Sequence, residues 1–182
     1  VTIGSGITSI GEWAFYDCSG ELIINSKIIE TDYSSNNYPA YSSSGWLYES
    51  RFTKLTIGDS ITKIGEWAFA KYTSLTSVTI GNSVTKIGDF AFYNCSSLKS
   101  VTIGNGVTSI GQEAFGVCHK LTSVTIGNGV TSIGGGAFHY CSSLTSVTIP
   151  DSVTWIGDSA FYDCNKLTSV TIPDSVTSIG HS

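Results

Sequence analysis

The stretch Leu121–Gly134, LTSVTIGNGVTSIG, decides the fold. In an extended chain Leu121, Val124 and Ile126 point one way and Ser123 and Thr125 the other, the period-2 sign of a half-buried strand. Gly127-Asn128 then turns the chain, and Val130 and Ile133 return inward through a second short extended stretch. Gly134 permits a sharp bend. The residues that follow, Ala137-Phe138 and then Cys141, suit one helical or 3-10 turn.

The same sentence is written again and again. Leu75, Leu98, Leu121, Leu144 and Leu167 stand 23 residues apart, and Phe52 fills that slot one period earlier. Ala68-Phe69, Ala91-Phe92, Ala114-Phe115, Ala137-Phe138 and Ala160-Phe161 keep the same spacing, as do Ile-Gly pairs from Ile64-Gly65 to Ile179-Gly180. Such a fixed period marks a repeat architecture. One unit cannot bury its own apolar face, but stacked units can, each strand pairing with its neighbour at about 4.8 Å. The pattern therefore predicts a solenoid with a continuous parallel sheet. Strand centres at Ile3, Ile24, Ile57, Ile80, Ile103, Ile126, Ile149 and Ile172 give eight coils, roughly 40 Å long at that spacing.

The unit L-x-x-V-x-I-x-x-x-V-x-x-I-x-x-x-A-F-x-x-C, and above all its Ile-Gly-x-x-Ala-Phe-x-x-Cys half, resembles the BspA-type leucine-rich repeat over nearly the whole chain. That resemblance implies an α/β-type leucine-rich-repeat solenoid of right-handed coils. A parallel β-sheet would lie on one face and short helical or 3-10 turns on the other. It also implies a place outside the cell or on a microbial cell surface, with roles in adhesion to host extracellular matrix proteins and in contact with other microbial surface proteins.

The period fails in one region. Ile3 to Ile24 is two residues short, and Ile24 to Ile57 is ten too long. Aligning Leu22, Ile24 and Ile28 with Val78, Ile80 and Val84, and Gly45-Trp46 with Ala68-Phe69, leaves an insertion over 31–44, within an irregular coil at 19–51 of a single 1–182 domain. The insertion carries Tyr33, Tyr38 and Tyr41 among Ser and Asn, with Trp46 and Tyr48 just beyond. Tyr with Ser and Asn is the composition of adaptable contact loops, and solenoid insertions emerge on one face. The alternative is a drifted repeat whose loop merely covers the core.

Reactive constellations are scarce. Cys18, Cys95, Cys118, Cys141 and Cys164 share one repeat slot, which Tyr72 and Glu49 fill in two other coils. Their spacing gives a ladder rather than the close pairs of a zinc site. An inward slot, an odd count and parallel Cβ vectors argue for free thiols packed as small hydrophobes. His119, His139 and His181 fall in different slots with no recurrent carboxylate beside them, and read as solvated polar residues. Asp59, Asn82, Asn105, Asn128, Asp151 and Asp174 line a turn slot and read as Asx caps, with too few carboxylates for calcium. No catalytic residue, metal ligand or cofactor is expected.

Two outward surfaces remain. Ser77, Thr79, Ser100, Thr102, Ser123, Thr125, Ser146 and Thr148 form two hydroxyl ranks along the main sheet. Cross-strand pairing, a shallow contact surface, or an ice-binding array like those of other β-solenoids would each use them. On the opposite edge the variable slots hold aromatics, of which Trp155 replaces a Ser or Lys and is the candidate exposed anchor.

With 13% charged residues and a net charge of −5, the chain lacks the basic face that nucleic acid requires, and no apolar run reaches the roughly 18 residues of a membrane span. The sequence reads as a non-enzymatic interaction module with a protein ligand, with a structural spacer presenting another domain as the alternative. Val1 begins mid-pattern, so the chain reads as a piece of a longer protein whose uncapped coils could associate end to end.

Overall fold

The computed structural model describes residues 1–34, 37, 39 and 45–181. Along the chain run β1 (Thr2–Ile3), β2 (Ser19–Ile24), a 3-10 turn (Lys27–Glu30), β3 (Arg51–Ile57), β4 (Lys63–Ile64), β5 (Ser77–Ile80), β6 (Lys86–Ile87) and β7 (Ser100–Ile103). They continue as β8 (Ser109–Ile110), β9 (Ser123–Thr125), β10 (Ser132–Ile133), β11 (Ser146–Thr148), β12 (Trp155–Ile156), β13 (Val170–Thr171) and β14 (Ser178–Ile179). The longer strands make an eight-stranded parallel sheet in the order β1-β2-β3-β5-β7-β9-β11-β13, and the two-residue strands a six-stranded parallel sheet in the order β4-β6-β8-β10-β12-β14. The chain is thus a β-solenoid in which each regular coil contributes one strand to each sheet.

Register follows the repeat. Val78 pairs with Val101 and Ile80 with Ile103, so the inward side chains form continuous files. Val78, Ile80, Val84 and Ile87 are at most 2% exposed, and one core runs through the stack. Pro150 and Pro173 have no N–H to offer the preceding coil, and β11 and β13 stop at Thr148 and Thr171, two residues before them.

The Ala-Phe-x-x-Cys segments do not form the expected helical turns; among the described residues the one helical element is Lys27–Glu30. Each segment instead places two residues in the left-handed region, such as Phe90 and Asn94 at φ 58° and 54°, and Glu113 and Val117 at 50° and 60°. A helix requires an unbroken run of right-handed residues. The alternate N–H groups explain the choice. Phe90, Phe92 and Asn94 donate to Gln112, Ala114 and Gly116 of the next coil, each at 2.8 Å, while Ala91, Tyr93 and Cys95 bond back to Gly88, Phe90 and Phe92. Half of the donors are committed between coils, so this edge is a third ladder.

Inside that ladder the phenylalanines stack. Phe69, Phe92, Phe115, Phe138 and Phe161 have successive ring centroids 5.2, 5.2, 5.5 and 5.4 Å apart with planes within 10°. Phe69 to Phe138 are fully buried, each contributing about 1.5–3 kcal/mol by area removed from water. Stacking adds about 0.5–1.5 kcal/mol per pair.

The irregular coil corrects the sequence alignment. Tyr48 and Ser50 donate to Gly45 and Leu47 as Ala70 and Tyr72 donate to Trp67 and Phe69, so Trp46-Leu47, not Gly45-Trp46, matches Ala68-Phe69. Ser50, 4% exposed, holds the cysteine slot, and Glu49 is exposed with φ 57°, matching Lys71 at 54°. The chain is one residue shorter from Ser50 to Phe52 than from Tyr72 to Leu75, and the register between β2 and β3 shifts at Gly20 and Glu21, leaving Thr53 unpaired there. Ile28 is only partly buried, and Ile29, 0% exposed, accepts from Gly65 N as Ile64 accepts from Gly88 N.

Candidate functional site

Three surfaces lie on this scaffold. The main sheet carries the predicted hydroxyl ranks. Ser77, Ser100, Ser123 and Ser146 stand in register, as do Thr79, Thr102 and Thr125, with Thr148 continuing the file opposite Thr171. Among the described residues no side-chain hydrogen bond joins one of these hydroxyls to the next, so cross-strand pairing does not occupy them. A different file does bond between coils. Thr85, Thr108, Thr131, Thr154 and Thr177 each donate a hydroxyl to the carbonyl of the threonine one coil earlier, at 2.9–3.2 Å. The sequence reading passed over that second threonine, although its 23-residue recurrence marks it.

The insertion is the second surface. Tyr38 and Tyr41 lie outside the described residues. Tyr33 packs against the core, its hydroxyl donating to Ile28 O at 3.3 Å, and burial pushes its phenol up from the usual value. Trp46 is 5% exposed and meets Phe15 edge-on at 6.0 Å. Tyr48 is half-buried. Tyr33 and Trp46 are therefore interior rings rather than exposed contacts. The inward files run on through the irregular coil at Leu22 and Ile24, which pair with Leu55 and Ile57.

The turn edge with the smaller sheet is the third. Among the described residues the exposed large aromatics, Trp13, Tyr16, Tyr140, Trp155 and Tyr162, all lie here, and none is on the main sheet. Trp155 is 44% exposed and stands between Ser132 and Ser178 in register, where the sequence reading put an exposed anchor. Trp67 and Phe90 stack at 4.3 Å, and Tyr93 meets both edge-on. The file continues through His139, 6.3 Å from Tyr93, to Tyr140 and Tyr162. His139 is not simply solvated. Its Nδ1 donates to Gly136 O at 2.8 Å, its Nε2 lies 3.8 Å from Glu113 Oε2, and its side chain is 15% exposed.

The remaining recurrent polar groups are structural. Cys95, Cys118, Cys141 and Cys164 are buried and free, and each Sγ donates to a phenylalanine carbonyl of the preceding coil at 3.2–3.3 Å. Burial pushes the Cys95 thiol up to about 12 and the Cys118 thiol well above its usual value. Tyr72 fills the same slot and satisfies its hydroxyl against Ser50 Oγ at 2.7 Å and Phe52 N at 3.0 Å. The turn asparagines do not cap their own turns. Asn82 Oδ1 accepts from Asn105 N, and Asn105 Oδ1 from Asn128 N, both at 2.9 Å, so they too link coils. Among the described residues no His, Cys, Asp and Glu group could hold a metal, and no helix is long and apolar enough to cross a membrane.

Known proteins share this design. The model of the BspA type leucine rich repeat region matches in six copies over residues 1–119, 40–166 and 109–182. Among solved structures, a leucine rich cell surface protein from Faecalibacterium prausnitzii is 39% identical with a TM-score of 0.66, covering 83% of this chain and 40% of its own. A leucine-rich repeat protein from Bacteroides ovatus is 28% identical with a TM-score of 0.70, covering 99% of this chain and 56% of its own. The leucine-rich repeat protein of T. pallidum is 27% identical with a TM-score of 0.67, covering 73% and 71%. The chain spans less than two thirds of the length of the first two. No curated protein matches it. With the repeat model matched from end to end, the chain belongs to the BspA-type leucine-rich repeat family.

Proposed function

We propose that the chain is a non-enzymatic, cell-surface interaction module whose contact edge is the turn side of the solenoid. One observation carries this reading: among the described residues every exposed large aromatic lies on that edge or on the smaller sheet beside it. Trp and Tyr supply contact area at low entropic cost and dominate protein interfaces. The repeat backbone fixes their positions, and the slots that hold them vary from coil to coil, as a binding surface on a constant scaffold would. The ligand class is a protein, such as a host extracellular matrix component or another microbial surface protein. The F. prausnitzii relative, described as a cell surface protein, supports the location. No nucleic acid, membrane insertion or cofactor enters this reading.

Surface plasmon resonance against immobilised matrix proteins and glycans tests it, with saturable binding to a protein expected. Trp155→Ser, Tyr140→Ser and Tyr162→Ser combined should weaken that binding. If instead Tyr33, Tyr38 and Tyr41 changed to Ser abolish it, the insertion is the contact site. Silence across the panel favours the spacer reading, in which the stack presents another domain.

A further inference from the structure

One coil breaks the turn edge. Where neighbouring coils carry Gln112-Glu113 and Asp158-Ser159, this one has Gly135-Gly136. The missing side chains leave a depression of about 480 Å³ whose floor is glycine backbone. Gly136 adopts φ 61°, as Glu113 and Ser159 do at 50° and 53° in the same slot, so the backbone is unchanged and only the side chain is gone. A Cβ on Gly136 would stand 3.0 Å from Glu113 Cγ and 3.2 Å from His139 Nδ1, and would begin to fill the notch.

The walls have a consistent chemistry. Glu113 comes from the coil before Gly135–Gly136 and Asp158 from the coil after, with His139, Trp155 and Tyr162 also lining the depression and no lysine or arginine among the lining residues. Asp158 uses Oδ1 to accept from His181 N at 2.8 Å. Glu113 has only the 3.8 Å approach of His139. His139 is itself fixed, by its bond to Gly136 O and by lying over Gly116, where a Cβ would come within 2.4 Å of the ring. Two carboxylates that no lysine or arginine in the lining meets, beside aromatic rings, form a setting for a cation: charge-assisted hydrogen bonds on the edges and ring faces for the delocalised charge.

We propose that the Gly135–Gly136 notch receives a basic side chain, arginine above lysine, presented by the protein ligand and held between Glu113 and Asp158 against Trp155. This rests on the protein-ligand reading above and names the chemistry that the partner must offer. Arginine suits the site because its planar guanidinium can meet both carboxylates and stack.

The test uses a capped Gly-Arg-Gly-Arg-Gly peptide and its citrulline counterpart, titrated into the protein while Trp155 fluorescence is followed. Trp155→Ser supplies the blank. Saturable binding of the arginine peptide is expected, with the citrulline peptide about tenfold weaker or worse. Glu113→Gln and Asp158→Asn should each weaken arginine binding severalfold without moving the thermal midpoint by more than a few degrees. Trp155→Ser, which places the neighbouring coils' residue in that slot, should weaken it as measured by calorimetry. Equal binding of both peptides, no saturable binding, or binding indifferent to Glu113→Gln and Asp158→Asn overturns the proposal. A Trp155 response to a neutral oligosaccharide but not to the arginine peptide overturns it in favour of a glycan. If the notch fails while a matrix protein still binds the whole edge, only the notch is refuted.

Discussion

Thr62 gives both its backbone N–H and its hydroxyl to one carboxylate oxygen of Glu30, at 2.8 and 2.9 Å. One coil later Thr85 makes the same pair of bonds, at the same two distances, to the main-chain carbonyl of Thr62. Glu30 therefore imitates a backbone oxygen where the irregular coil has none in place. Two residues on, Asp32 accepts from Glu66 N at 2.9 Å and from Lys63 Nζ at 2.8 Å, sealing the joint at which the insertion begins.

That joint should be acid-labile. Burial pushes the Glu30 carboxyl up, but the Thr62 bonds and Lys27 outweigh it and leave the group below its usual value; Lys63, then Glu66 N, lowers Asp32. Groups lowered in the folded state stabilise it above their unfolded pKa of about 4 and lose that contribution as pH falls through the folded value. The protection factors of the Thr62 and Glu66 amides, taken against the intrinsic exchange rate at each pH, should therefore drop below about pH 4 while those of Val101 and Val124 hold. Glu30→Ala should cost about 1 kcal/mol at neutral pH, read as a lower thermal midpoint.

The phenylalanine file should be the most sensitive part of the core. Phe115 is fully buried between two parallel rings, so Phe115→Ala should cost about 3–5 kcal/mol in chemical denaturation. Phe115→Leu should cost less, because volume is largely kept.

The thiols should sort by depth. In the native protein a thiol reagent at pH 8 should modify Cys18, which is partly exposed, and leave Cys95, Cys118 and Cys141 untouched, with all five reacting in denaturant. Because burial raises these thiols, the fold is favoured below their unfolded pKa of about 8.5 and loses ground above it, at up to about 1.4 kcal/mol per pH unit for each thiol still protonated in the fold. The denaturation midpoint should fall steeply from pH 9 to 11. A midpoint indifferent to that change would contradict the burial.

Glycines should divide by their neighbours. A Cβ on Gly129 would lie 2.0 Å from Asn105 O, whereas one on Gly4 meets nothing within 4 Å. Gly129→Ala should therefore destabilise by about 1–3 kcal/mol or more. Gly4→Ala should stay within about 0.5 kcal/mol of the parent.

The solenoid could be read from sequence because its determinants are local and repeated. Val78 and Ile80 alternate with Ser77 and Thr79, and the files they form are the files observed. The helical turn could not be read, because Ala91-Phe92 has helix-like spacing and the bonds that overrule it come from residues 22 further on, as Phe92 N to Ala114 O shows. Trp46 is displaced by one residue because the chain is one residue shorter from Ser50 to Phe52 than from Tyr72 to Leu75, and Phe52, still 23 residues before Leu75, hides the loss. Trp155 was legible as a large ring in a small-residue slot. The notch was not, since Gly135-Gly136 looks like drift until Glu113 and Asp158 are seen on either side. Its signal was Gly135-Gly136, directly after the recurrent Gly134, in two slots that elsewhere carry larger residues.

The ring-to-ring steps of 5.2 to 5.5 Å exceed the spacing of paired strands, about 4.8 Å, by about half an ångström per coil. From that difference we expect the stack to bow, hollow on the side of the Ser and Thr files and rounded on the side of the aromatics. A bowed lattice of hydroxyls falls out of step with a planar crystal within a few coils. Dilute solutions of this protein should show no thermal hysteresis, while a convex protein surface could follow the hollow along its length.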